Sequence, residues 1–157
     1  MTLEGWRLAD PEFASTSADM LSGEGAFLFG GRWNSKGVRV VYLGSNLAQA
    51  AMELLVHLGR PQILSTFYTM PVAFDEVHLS HIDLADLPAT WAEPSMASAI
   101  ALVGDIWIEN ESSLLLQVPS AAVNGEYNYL LNPLHRDMDE LIIGPIRPFG
   151  YDPRLVN

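Results

Sequence analysis

Chemical capacity is densest at Gly30-Gly31-Arg32-Trp33-Asn34, where a guanidinium and an indole follow two residues without side chains. A glycine pair lets backbone approach a ligand, arginine offers a planar fork to phosphate or carboxylate, and tryptophan offers a flat stacking surface. That set suits a nucleotide. The same residues also read as a glycine-shaped strand start with a core tryptophan and a surface arginine, since each type is common in turns. Glu53 lies six residues beyond Leu47, about 240° round a helix, so it projects away from the apolar stripe and by itself describes a solvated glutamate. Ser120 follows Val118-Pro119 at a predicted strand end, where a hydroxyl ordinarily satisfies nearby backbone groups.

Other chemistries are excluded or disfavoured by what the chain lacks. It has no cysteine, hence no disulfide, thiolate ligand or thiol nucleophile. Its one lysine, Lys36, sits in a predicted turn, and neither a Lys-Ser/Thr phosphate loop nor a G-x-G-x-x-G motif occurs. Gly23-Glu24-Gly25 reads as a tight turn. The four histidines, His57, His78, His81 and His135, have no zinc-site spacing, and no metal is expected. His78 and His81, three apart on a predicted strand, would leave opposite faces and read as structural. Eight Lys+Arg against nineteen Asp+Glu give a net charge of −11, which repels phosphate backbones and anionic membrane surfaces. Neither a secretory signal nor an apolar stretch long enough to span a bilayer is evident, so the expected location is the cytoplasm.

The elements that must position these residues follow from periodicity. With 157 residues, 49% of them apolar and 17% charged, the chain reads as a single domain over 1–157. Phe27 to Gly31 and Val38 to Leu43 predict a hairpin around Asn34-Ser35-Lys36-Gly37. Leu47, Ala50, Ala51, Leu54, Leu55 and Leu58 predict a helix capped by Ser45 and stopped by Gly59-Arg60-Pro61. Strands are predicted at Ile63 to Val72, Glu76 to Leu84, Leu114 to Val118, Tyr127 to Leu131 and Leu141 to Ile146, with a second helix over Ser98 to Glu109. Strands that do not alternate with helices predict an α+β fold, a mixed β-sheet sandwich with flanking helices.

Taken together, Gly30-Gly31-Arg32-Trp33-Asn34, Val41-Tyr42-Leu43, Glu53 with Leu55-Val56-His57, Val118-Pro119-Ser120, and Tyr127 to His135 resemble the RES domain family, named for an Arg, a Glu and a Ser. The resemblance extends from Trp6-Arg7 to Phe149–Arg154. Where relatives often read His-Pro-Asp after the Asn-Pro, this chain has His135-Arg136-Asp137.

The resemblance implies an ADP-ribosyltransferase-like fold and a bacterial toxin of a type II toxin–antitoxin pair. Such a toxin consumes NAD+ as a substrate, with no tightly bound cofactor, and is neutralised by a Xre-type antitoxin. A homodimer within that complex is a further expectation. Matched by motif, Arg32, Glu53 and Ser120 are the expected catalytic residues, while Arg7, Arg32, Tyr42 and Asn128 are expected to hold the dinucleotide. Hydrolysis or phosphorolysis of the nicotinamide–ribose bond ranks above protein ADP-ribosylation, and a non-catalytic nucleotide-binding module is the alternative of another class.

Overall fold

A computed structural model describes residues 1–156. The eight strands are β1 (Thr2–Ala9), β2 (Val41–Gly44), β3 (Phe67–Asp75), β4 (Leu79–His81), β5 (Leu115–Pro119), β6 (Tyr127–Leu131), β7 (Ile142–Ile143) and β8 (Arg147–Phe149). The α-helices are α1 (Ser17–Met20), α2 (Glu24–Phe29), α3 (Leu47–Leu55), α4 (Arg60–Ile63) and α5 (Ala97–Asn110). The strands form one sheet in the order β4-β5-β6-β2-β1-β3-β7, with β8 also pairing to β3. Only the β4–β5 pair is parallel among them.

This is a mixed α+β fold, but the expected sandwich of two sheets is replaced by one continuous sheet. The reason is β1, a segment not anticipated as a strand, which pairs with β3 along its whole length and with β2 at one registered pair, Trp6 and Gly44. Side chains alternate across the central strands, and both faces are covered. Val41, Leu43, Leu115, Tyr129 and Leu131 point into one cluster with Met20, Met70, Val72 and Phe74. Leu116, Val118 and Leu130 point the other way, into a cluster with Trp33, Trp91, Ile100 and Trp107 beneath α5. On that same outer side, Leu8, Ala50 and Phe67 make a separate cluster beneath α3. Two-sided burial explains why these strands read as nearly unbroken apolar runs.

Several local expectations are corrected. Phe27 to Phe29 is helical, so the predicted hairpin does not form, and Gly31 and Asn34 make only an isolated bridge. A short apolar run carries no periodicity that separates helix from strand. Here Gly23, at φ 69°, turns the chain into α2, and Arg39 fixes that helix by pairing with Glu24 at 2.7 Å and lying 4.5 Å over the Phe27 ring. The cap of α3 is Asn46, whose side chain accepts from the Gln49 N–H, rather than Ser45, and the helix ends at Leu55. Arg60-Pro61 opens α4 instead of only ending a helix, because proline suits a first turn that needs no N–H. Ile63 therefore belongs to α4, and β3 begins at Phe67. Glu76–His78 is a 3-10 turn, so the opposite-face argument for His78 and His81 does not apply; His78 instead lies 3.8 Å from the Asp137 carboxylate. The Leu141 to Ile146 strand shrinks to Ile142–Ile143.

Gly104 lets α5 meet the loop that carries Arg32. A Cβ built there would lie 1.6 Å from the Trp33 carbonyl oxygen and 2.7 Å from its carbon, which no side-chain rearrangement relieves. Gly104→Ala should therefore destabilise the chain by about 2–3 kcal/mol. In thermal unfolding that corresponds to a Tm lowered by roughly 5–10 °C, and an unchanged Tm would contradict this packing.

Candidate functional site

Gly44 ends β2 and admits the first turn of α3 at unusually close range: a Cβ there would stand 2.5 Å from the Ala50 nitrogen. Asn128 is the registered partner of Gly44 on β6. The helix is thus pressed against the strand ends, and the polar side of its wheel meets protein rather than water. Glu53 occupies that side, half-buried.

Its Oε1 accepts three hydrogen bonds, from Ser120 Oγ at 2.6 Å, Asn128 Nδ2 at 2.9 Å and Gln49 Nε2 at 3.2 Å. Among the described residues no donor lies within hydrogen-bond distance of Oε2. Ser120 is buried behind the carboxylate, where its oxygen also accepts from the Val123 N–H at 3.0 Å. Gln49 was not anticipated, although it stands four residues before Glu53 on the same side of the helix, the spacing at which helical side chains meet.

Glu53 lines a cleft of about 810 Å³ that opens between the α3 and α5 clusters. Arg7, Arg32, Tyr42 and Asn128 line the same cleft, as does His57, which was not anticipated there. Five of the six anticipated residues therefore line one hollow, and Ser120 reaches it through Glu53. Ser120 lines a second hollow of about 450 Å³ on the far side of Pro119 and Ala121.

The two arginines differ. Arg32 is exposed at the rim, 5.7 Å over the Trp91 ring, with a 3.4 Å contact to the Ala92 carbonyl. Arg7 is pinned from within the fold, donating from Nε to the Met20 carbonyl at 2.8 Å and from Nη1 to Leu8 at 3.0 Å. It retains some accessible surface, yet burial of its guanidinium lowers its pKa to about 10. No carboxylate pairs with it among the described residues. A cation stripped of water and left without a counter-ion favours an incoming anion.

Of the two readings of the glycine-rich motif, the one with a core tryptophan and a surface arginine holds. Trp33 is 2% exposed and packs on Trp91 with ring centroids 5.7 Å apart, so it is a core residue and offers no free stacking face. Gly31 makes room for protein atoms: a Cβ there would lie 2.6 Å from the Tyr42 hydroxyl and 2.9 Å from Asn34 Oδ1. Asn34 is buried, with Nδ2 at 2.9, 3.1 and 3.0 Å from the carbonyls of Ala26, Ser35 and Val38. The Tyr42 hydroxyl donates to Asn34 Oδ1 at 2.6 Å and accepts from the Trp33 N–H at 3.1 Å, and burial pushes its pKa up. Only Arg32 in this segment keeps a free functional group, while Tyr42 presents its ring. His135 is also structural, accepting from the Asp137 N–H at 3.0 Å with its other ring nitrogen 3.2 Å from the Glu111 carbonyl. No group of three or more His, Asp or Glu side chains is placed to share a metal ion among the described residues.

The RES domain matches residues 4–152. The chain belongs to the RES domain family. A "Prs ADP-ribosylating toxin" from a Sphingobium strain is 36% identical over 160 residues, covering 99% of this RES chain and 98% of that protein. A "Toxin Res" from Yersinia enterocolitica is 36% identical over 140 residues, covering 88% and 91%. The fold is similar to the crystal structure of the Mycobacterium tuberculosis MbcT–MbcA toxin–antitoxin complex, with a TM-score of 0.73 at 16% identity over 99% of this chain and 87% of that one. None of the described helices of this RES domain is long and apolar enough to cross a membrane.

Because Arg7 lacks a counter-ion, a diphosphate seated in the cleft should stabilise the RES fold by linkage, about 2.7 kcal/mol at a hundredfold excess over Kd. Arg7→Gln should keep the unliganded Tm within a few degrees and lose most of the rise that ADP produces. Differential scanning fluorimetry checks both; an undiminished ADP response in Arg7→Gln would remove this residue from anion binding.

Proposed function

We propose that this RES chain is the toxin of a toxin–antitoxin pair and cleaves the nicotinamide–ribose bond of NAD+. The observation that carries the reading is the Glu53 carboxylate, held on one oxygen and open on the other, in a cleft that also contains Arg7 and Arg32. Family membership and the names of its relatives point the same way. The ADP-ribosyltransferase-like assignment of the fold belongs to this proposal.

When the glycosidic bond breaks, its electron pair leaves with the nicotinamide nitrogen, and positive charge develops on the ribose, as in glycoside hydrolysis. Glu53 Oε2 would face that charge. Stabilising it requires a carboxylate that does not reorient during the reaction, and three donors on Oε1 provide that. Arg7 and Arg32 would grip the pyrophosphate through charge-assisted hydrogen bonds. Tyr42 would lay its ring against the base or sugar, while Asn128 orients Glu53. Ser120 acts as a positioning residue, fixing the carboxylate from behind. With water as acceptor, the ribose carbon gains a hydroxyl, a proton is released, and the products are ADP-ribose and nicotinamide; phosphate as acceptor would give a phosphorylated ADP-ribose.

A second reading is transfer of ADP-ribose to a protein side chain, favoured by the "Prs ADP-ribosylating toxin" that matches nearly end to end. The two readings share the bond-breaking step and differ only in what captures the sugar. The partner would be an antitoxin of the Xre type that covers or fills the cleft. With a net charge of −11 the toxin is suited to leave any DNA contact to that partner.

Glu53→Gln keeps the side-chain shape and removes the charge, so nicotinamide release should fall on the order of 10²–10³-fold with little change in Tm. Mass spectrometry of the products, with and without phosphate and with candidate protein acceptors, separates the two readings. A Glu53→Gln protein that consumed NAD+ at the wild-type rate would overturn the assignment.

A further inference from the structure

We infer that Gln49 is a positioning residue that sets the orientation of the Asn128 amide and, through it, the donors that hold Glu53 Oε1. The inference rests on the proposed reading of the cleft and adds a residue that the family's Arg, Glu and Ser do not include. Gln49 is 4% exposed, and its Nε2 bridges two acceptors, Asn128 Oδ1 at 3.1 Å and Glu53 Oε1 at 3.2 Å. A side-chain amide nitrogen carries two protons, so both contacts are satisfied at once.

The consequence concerns Asn128, 9% exposed, whose amide has two near-isosteric orientations. In the observed one, Nδ2 donates to Glu53 Oε1 at 2.9 Å. In the flipped one, Oδ1 would face the carboxylate and two acceptors would oppose each other. Gln49 penalises the flip, because it would then point its own N–H at an NH2 group. Its helix anchors it: the Gln49 N–H is capped by Asn46 Oδ1 at 2.8 Å, and Gly44 lets the following turn lie against β2. Gln49 and Asn128 are thus a donor relay from the buried side of α3 to one carboxylate oxygen. The other titratable groups lining the cleft are Arg7 from β1, Tyr42 from β2, Arg32 and Glu93 from loops, and His57 just past α3. None of them is a hydrogen-bond donor to Oε1 in this arrangement.

Donors to the charged form favour ionisation, so losing them raises the carboxyl pKa. Activity that needs ionised Glu53 is lost as pH falls through that pKa, so the acid limb of the pH–rate profile should move to higher pH. For Gln49→Met, which keeps the volume without donors, kcat for nicotinamide release should fall roughly 10–100-fold, with KM for NAD+ within about threefold. Gln49→Glu sets a second carboxylate against Glu53 and should move the limb upward as well.

Carbon-13 NMR titration of the Glu53 carboxyl in the full chain, wild type against Gln49→Met, reads the same effect without turnover and should show the same upward displacement. A purely structural role for Gln49 would lower Tm and leave both the acid limb and the carboxyl titration in place, and that result overturns the inference. If the wild-type chain released no nicotinamide, the reading of the cleft would fail, while the carboxyl titration would still decide the role of Gln49.

Discussion

A carboxylate with three donors on one oxygen and none from the protein on the other is electrically lopsided, and this asymmetry at Glu53 is what the architecture is built to maintain. Each donor arrives from a different place. Gln49 comes from the helix that carries Glu53, Ser120 from the end of β5, and Asn128 from β6. Bringing them within 3.2 Å requires the helix to lie almost on the strand ends, and that approach is possible because Gly44 has no side chain at the crossing. Hydrogen bonds to a charged acceptor are worth more than neutral ones, and more again away from bulk water. A half-buried glutamate on the polar side of a short helix thereby becomes a fixed, directed charge.

The cleft follows from how the outer face of the sheet is covered. The α5 cluster and the α3 cluster do not merge, while the opposite face carries a single large cluster. The uncovered interval between them falls where β1 and β2 meet at one registered pair, and there the cleft opens. Arg7 lines it from β1 and Tyr42 from β2. The glycine-rich segment supplies the third wall by a different principle: Asn34, Trp33 and Tyr42 lock together through buried hydrogen bonds, leaving Arg32 at the rim.

Legibility in the sequence tracked the range of the forces involved. The α5 helix and strands β5 and β6 were readable because their apolar patterns are long enough to carry a signal. Residues 27–29 are only three apolar residues and carry no periodicity, and what makes them helical is a positive-φ glycine and an arginine ten or more residues later. β1 escaped because its pairing partners lie far along the chain. Taken alone, Glu53 and Ser120 had ordinary local explanations, and the pattern of a family joined them. Gln49 belonged to no such pattern, since its importance arises only when β6 is laid beside α3. For Trp33 and Gly31 the plain structural reading was the right one.

The assembly of this charge centre has a consequence for synthesis. Its last donor, Asn128, lies four-fifths of the way along the chain and depends on β6 pairing with β2. A nascent polypeptide emerging from a ribosome could expose both arginines and the glutamate well before that strand exists, and would still hold only a floppy, solvated acid. The donor set that fixes the carboxylate is therefore complete only once β6 has been made and has paired with β2.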